Sequence, residues 1–392
     1  MSATNWFKKA VIYQVFIDRF NGFEETRNSP KFLGGNINGV TQKLDYFLSL
    51  GVNVIWLSPF YESLSYHGYN VTDFKKVNSH FGTEEDLKTL ISEAHKRGLY
   101  IIADFIPNHC SNKHPFFEDA CKNENSKYHD WFIFEKWPAT YRCFLDFPEL
   151  PKLNLNNAEV RNYMIDIADY WMSLGLDGFR LDHAIGPSHK FWKVFRKKMK
   201  AHYPQSVFVG EVWCDSLDKK LIKTTGLKNK MQKRKFGVFQ EEVQLEYYGE
   251  LDGVLDFTLN TLIVKAAEKG KNLLLDSKLK DKIKKHFQQV PSGYFMVTFL
   301  DNHDVDRFLL HCKGDVQVML QAFELLLSLD QPVVIYYGTE NCKYNKEPIN
   351  GSIPQSDLAV RAPMDWNTIN PQFIEGFKDL IIKYRNKENV KN

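Results

Sequence analysis

Several features that would place a chain of 392 residues in a narrow class are scarce or missing here. Its six cysteines, at 110, 121, 143, 214, 312 and 342, include no C-x-x-C pair, which excludes a zinc-ribbon pattern and a secreted disulfide framework. Three of them fall between 110 and 143, so one local disulfide is a possible reading, with buried free thiols the favoured one. No apolar run approaches the roughly 18–20 residues of a membrane span. Ala10–Ile17 follows Lys8 and Lys9 as a signal peptide would, but Gln14 interrupts it, Asp18-Arg19 ends it and no small-residue cleavage site follows. It reads as a first strand, and the expectation is a soluble, cytoplasmic chain. Charge of one sign is also lacking: 51 Lys and Arg against 48 Asp and Glu leave +3, which favours neither nucleic acid nor a membrane as partner. The lysines of 228–235 and of 265–285 are read as solvated helix faces, because acids are interspersed. Aromatics, at 14%, suit a sugar groove and a large core equally.

What the sequence does contain is a rhythm of short strand, polar loop and amphipathic helix. Eight strands are predicted: 12–17, 52–57, 99–105, 177–181, 207–209, 253–257, 295–300 and 332–336. Thr83-Glu84-Glu85-Asp86 has the form of a capping box, and Leu87, Leu90, Ile91 and Ala94 follow at helical spacing until Gly98. Asn157 stands in the same way before Val160, Met164, Ile167, Ala168 and Trp171. No glycine-rich phosphate turn follows the first strand, so the α/β alternation predicts a TIM (β/α)8 barrel over an open doubly wound sheet. About seventy residues separate the third and fourth strands, where a plain connection with its helix needs roughly 25–30. Residues 109–154 are therefore expected to form an inserted subdomain on the catalytic face, with 1–108 and 155–392 making the barrel.

Polar groups gather at four expected strand tips: Asp104-Phe105-Ile106-Pro107-Asn108-His109, Gly178-Phe179-Arg180-Leu181-Asp182, Glu211, and Asp301-Asn302-His303-Asp304. Barrel active sites lie at that end. Two carboxyls on neighbouring tips, one beside a guanidinium, are what double-displacement glycoside cleavage requires. Asp182 is the expected nucleophile, kept ionised by Arg180 two residues away on the same side of its strand. Glu211 is the expected general acid and then base, its proton retained through repulsion by nearby carboxylates. Asp304 suits stabilisation of an oxocarbenium-like transition state. His109 and His303 are candidate donors to hydroxyls of the same ring, and Tyr69, in Tyr66-His67-Gly68-Tyr69, is a candidate stacking face.

On these four regions in order, together with Gly34-Gly35-Asn36, Trp56-Leu57-Ser58-Pro59, Phe81-Gly82-Thr83 and Arg361-Ala362-Pro363-Met364, the chain resembles the α-amylase-type glycoside hydrolases of family 13. The likeness runs over about residues 10 to 385. It implies retaining cleavage of α-1,4-glucosidic bonds in starch-derived maltodextrins by Asp182, Glu211 and Asp304. It also implies that Arg180, His109, His303, Tyr69 and His67 line the subsite of the cleaved ring, and that Asp104 orients the arginine. Leu150-Pro151-Lys152-Leu153-Asn154 is similar to the corresponding segment of neopullulanases and cyclomaltodextrinases, so that specificity, or 4-α-glucanotransfer through the same covalent intermediate, is the alternative. A non-catalytic barrel is a third reading, disfavoured because all three acids are present. The resemblance leads one to expect a C-terminal β-sandwich, for which the chain has no residues after a helix over 373–384. It also implies calcium between Asn108 and acids of the insert. Asn154 stands where an aspartate ligand would, with Lys152 close by, so no cofactor is expected to be required and the calcium site is expected to be weakened. The expected partner is an α-glucan or maltooligosaccharide substrate; no oligomeric state is predicted.

Overall fold

Short runs of Val, Ile, Leu and Phe suit a parallel sheet covered by helices, where strands are buried on both faces. In the computed structural model, which describes residues 5–23, 27–214, 238–270, 272–350 and 355–385, eight such runs close into a barrel. The strands are β1 (Val11–Val15), β2 (Val54–Leu57), β3 (Tyr100–Phe105), β4 (Gly178–Leu181), β5 (Val207–Gly210), β6 (Gly253–Leu255), β7 (Phe295–Phe299) and β8 (Val333–Tyr336). Each is parallel to the next, and β8 pairs with β1 through Val11↔Val333 to Gln14↔Tyr336. All eight predicted strands are present, with ends moved by one or two residues.

Ile12, Val54, Trp56, Ile102, Val207, Val209, Leu255, Val297 and Val334 fill the interior, which makes it a packed core and not a pore. The helices seal the outside. Glu84–Lys96 begins with the expected capping box: Thr83 accepts from the Asp86 N–H and Asp86 accepts from the Thr83 N–H. Asn157 caps Ala158–Ser173 by accepting from the Glu159 N–H. The helix Ser277–Gln288 buries Leu279, Ile283 and His286 while Lys278, Lys280, Lys282, Lys284 and Lys285 face solvent, as a solvated helix face should. The 228–235 lysines lie outside the described residues. None of the six cysteines forms a disulfide, and Cys110 is buried. Among the described residues, no helix is long and apolar enough to cross a membrane.

Two excursions stand on the C-terminal side of the strands. After β2, an antiparallel ribbon of Tyr61–Ser63 with Val71–Val77 holds residues 64–70 as its connecting loop; the sequence reading had no strands there. Between β3 and β4 come a helix, Pro115–Lys122, and two small ribbons, Phe134–Lys136 with Thr140–Tyr141 and Cys143–Phe144 with Phe147–Pro151. A last helix, Pro371–Arg385, packs on Val316–Ser328.

Candidate active site

Strand register assembles the centre. Arg180 lies directly opposite Asp104 across β4 and β3. Its Nη1 donates to Oδ1 of Asp104 at 2.8 Å and to Oδ1 of Asp182 at 2.9 Å. Nη2 comes within 2.7 Å of Oε1 of Glu211, a close ionic contact without hydrogen-bond alignment. One guanidinium thus touches three carboxyls, and the face of Trp56 lies 5.5 Å from it. Such a cation has no route to water, since Arg180 is 1% exposed and Asp104 fully buried.

Leu181 pairs with Gly210, so Asp182 and Glu211 leave adjacent strand tips side by side. The ladder runs on through them: Asp182 N–H donates to Phe105 O and Glu211 N–H to Leu181 O, both at 2.9 Å. Beyond Asp182 the chain curls back, with His183 at a φ of 42°, and the His183 N–H donates to Oε2 of Glu211 at 2.9 Å.

Burial raises both carboxyls. For Asp182 the shift is well above the ordinary range, opposed by Arg180 and reinforced by Glu211, Asp104 and Asp304. For Glu211 the order is burial, then opposition from Arg180, then repulsion from Asp304. The sequence reading assigns the Glu211 shift to repulsion; desolvation is the larger cause, because the residue is 8% exposed in a low-dielectric site. Two acids bound to one cation titrate as a pair.

Asp304 differs. Burial would raise it, but His303 and Arg361 outweigh burial and hold it below the usual carboxylate range. Nε2 of His303 sits 2.9 Å from its Oδ2, and Nη2 of Arg361 donates to Oδ1 at 2.9 Å. Arg361 Nε also donates to the His303 carbonyl at 2.9 Å.

The imidazoles and Tyr69 tie these acids together. Gln14 Nε2 lies 2.8 Å from Nδ1 of His303, so the ring is held on the side away from Asp304 as well. Tyr69 lies parallel to the His303 ring, with centroids 5.4 Å apart, and donates to Oδ2 of Asp104 at 2.8 Å. Nδ1 of His67 accepts the Tyr69 N–H at 3.2 Å. Burial lowers both His67 and His109 to about 3, so both rings are neutral near pH 7. Nε2 of His109 is buried with no partner among the described residues, and Phe144 of the insert lies 4.8 Å from its ring.

Asp182, Glu211, Asp304, Arg180, His303, Tyr69 and His67 therefore form one bonded network, with His109 beside it on the insert side. The sequence reading gave no role to Gln14, Arg361 or Phe144. Gln14 was visible as the polar break in an apolar strand, and Arg361 stood inside a quoted motif.

The residues around Asn108 do not fit a hard dication. Asn154 donates Nδ2 to Asp130 O at 3.0 Å, and the Lys152 ammonium donates to Gly186 O at 2.8 Å. A cation site needs oxygen donors there, not an amine. Among the described residues, no group of three or more His, Cys, Asp or Glu side chains could hold a metal.

A closed parallel barrel with carboxyls around an arginine at its strand tips defines the class: a (β/α)8 catalytic domain of glycoside-hydrolase type. The chain belongs to the α-amylase family, whose catalytic-domain model matches residues 14–383. It is 34% identical over 372 residues to alpha-amylase 2 of Dictyoglomus thermophilum, covering 92% of this chain and 60% of that one. Neopullulanase 2 of Thermoactinomyces vulgaris is 30% identical over 403 residues, covering 96% of this chain and 62% of that protein. The chain thus spans about three fifths of the length of these relatives. Among solved structures, a cyclic α-maltosyl-(1→6)-maltose hydrolase of Arthrobacter globiformis superposes with a TM-score of 0.81 at 28% identity, covering 96% of this chain and 83% of that one.

Proposed function

We propose that this chain hydrolyses α-1,4-glucosidic bonds of maltodextrins with retention of anomeric configuration. The observation that carries the reading is the shared guanidinium, which holds Asp182 and Glu211 on adjacent tips. Neighbouring strands stand about 4.8 Å apart, close to the separation of roughly 5–5.5 Å that double displacement needs.

In the first step an oxygen of ionised Asp182 attacks the anomeric carbon while Glu211 gives its proton to the departing glycosidic oxygen. Arg180 hydrogen-bonds Asp182 and makes only an ionic contact with Glu211, and this difference supports Asp182 as the carboxylate and Glu211 as the acid. Glu211, now a carboxylate, then takes a proton from water, whose oxygen displaces Asp182 from the same carbon. Two inversions restore the α-anomer. Asp304, held ionised by His303 and Arg361, stabilises the positive charge that develops on the ring in the transition state of each step. His303, His109, Tyr69 and His67 position the ring, and the orphan Nε2 of His109 is suited to one of its hydroxyls. No cofactor takes part in these steps. Six cysteines without a disulfide agree with a cytoplasmic setting.

A second reading, preference for cyclic or branched glucans, rests on the segment Leu150–Asn154 and on the likeness to neopullulanase 2. Proton NMR of the first product decides the chemistry: the α-anomer is expected, and the β-anomer would exclude retention. Products from starch, pullulan and a cyclodextrin, compared side by side, decide the substrate. Rapid cyclodextrin cleavage with slow starch cleavage would transfer the assignment to the second reading, and elongated products from maltotriose would indicate transfer.

A further inference from the structure

The lysine that makes calcium a poor fit has its own role to explain. Lys152 follows the hairpin Cys143–Phe144/Phe147–Pro151 and forms an isolated bridge with His109. Its side chain crosses from the insert to the barrel, where Nζ donates to the Gly186 carbonyl at 2.8 Å. Gly186 closes the turn after β4, its N–H donating to His183 O at 2.8 Å. That turn also rests on the end of β3. A Cβ at residue 186 would stand 2.1 Å from Oδ1 of Asn108, so glycine is what lets this turn lie against the Asn108 side chain. Asn108 Oδ1 is itself buried with no hydrogen-bond partner among the described residues.

Gly186 therefore touches Asn108 through its α-carbon and Lys152 through its carbonyl. Asn108 Oδ1 and Gly186 O are neutral oxygens of the kind that ligate hard cations, and the cation at Gly186 O is an ammonium. We propose that Lys152 is a built-in cation that replaces a bound divalent metal and clamps the inserted segment to the turn that presents the His183 N–H to Glu211. It is a positioning residue. The ammonium occupies the Gly186 carbonyl and would stand against a dication brought to the same oxygens.

The clamp matters because His183 holds a left-handed φ of 42°, a conformation that surrounding contacts must maintain. Releasing the turn loosens the hydrogen bond from the His183 N–H to Glu211. The inference rests on the acid/base role proposed for Glu211, and its thermal arm stands apart from that role.

The test uses the full chain, Lys152→Met and Lys152→Asp, each with chelator and with millimolar calcium, followed by thermal denaturation and by kcat and KM on maltotriose. The wild type should be indifferent to both additions. Lys152→Met should melt lower and lose about 10–100-fold in kcat with KM nearly unchanged. Lys152→Asp should melt lower still with chelator and be restored by calcium, the metal returning the missing charge; Lys152→Asn serves if the aspartate variant does not fold. A wild-type melting temperature that falls on chelation, a Lys152→Met variant equal to wild type, or acidic and amide variants both indifferent to calcium would each overturn the clamp. If no glucan is cleaved but the melting data behave as expected, the functional reading fails and the clamp stands.

Discussion

Glu211 is gripped from two sides: Oε1 lies 2.7 Å from Arg180 Nη2, and Oε2 accepts the His183 N–H at 2.9 Å. Both contacts favour its ionised form, and burial opposes them. A group so balanced can release and regain a proton within one catalytic cycle, which is what an acid that turns base must do.

Replacing Glu211 by Gln should lower kcat on maltotriose by about 10²–10⁴-fold, the usual worth of general acid–base catalysis. With α-maltosyl fluoride, whose leaving group needs no proton, the first step should be largely spared. Equal losses on both substrates in single-turnover assays would assign the acid elsewhere.

The same substitution should stabilise the fold. Burial places the folded-state pKa of Glu211 above its unfolded value. As pH rises through that window the unfolded chain loses its proton first, so stability falls with pH and the penalty is complete above the folded pKa. Glu211→Gln removes the penalty. Its melting temperature should exceed that of wild type at neutral pH, with the gap closing as pH drops to about 4, where the carboxyl is protonated in both states. A gap independent of pH would contradict this.

Arg180→Lys keeps the charge and loses the fork. An ammonium cannot serve Asp104, Asp182 and Glu211 from two separated nitrogens as Nη1 and Nη2 do. Activity should fall by at least about 10²-fold, and unmet buried carboxylates should cost about 1–3 kcal/mol each in denaturant melts. Near-wild-type activity in the lysine variant would mean that charge alone suffices.

Phe144 and Phe147 flank a turn whose central residues, Leu145 and Asp146, have φ of 44° and 63°. Their rings stack at 6.4 Å, Phe147 is 48% exposed, and Phe144 abuts both His109 and His183. This ridge suits stacking against sugar units beyond the cleaved bond. Phe147→Ala should raise KM for maltohexaose by about 2–12-fold, the worth of one aromatic contact, with kcat unaltered. Steady-state kinetics showing the reverse pattern would place Phe147 outside the binding cleft.

The barrel was legible because buried parallel strands write themselves as short apolar runs, and caps such as Thr83 and Asn157 mark where helices begin. The acids were legible because tip residues follow those runs directly. Other parts depend on register and closure. Gln14 reads as a blemish in an apolar strand until β1 closes on β8 and Gln14 meets His303. Arg361 is far in sequence from Asp304, and no local pattern announces their contact. The ribbon that carries Tyr69 on its loop escaped notice because Val71–Val77 pairs with only three residues, at irregular register. The cause of the Glu211 shift is hidden for a related reason: carboxylates can be counted along a sequence, whereas burial is a property of the closed barrel.

The link from Gln14 to His303 joins positions 289 residues apart, and Arg361 locks the same histidine from further along the chain. Asp304 and its histidine are consequently unsupported until both ends of the barrel have met. During synthesis, with β1 emerging first, a growing chain would display the strands of Asp182 and Glu211 long before it could use them. Activity should then appear only once the ring has closed. Any cut that frees β1 or the Arg361 segment should silence the enzyme while leaving most of its surface unchanged.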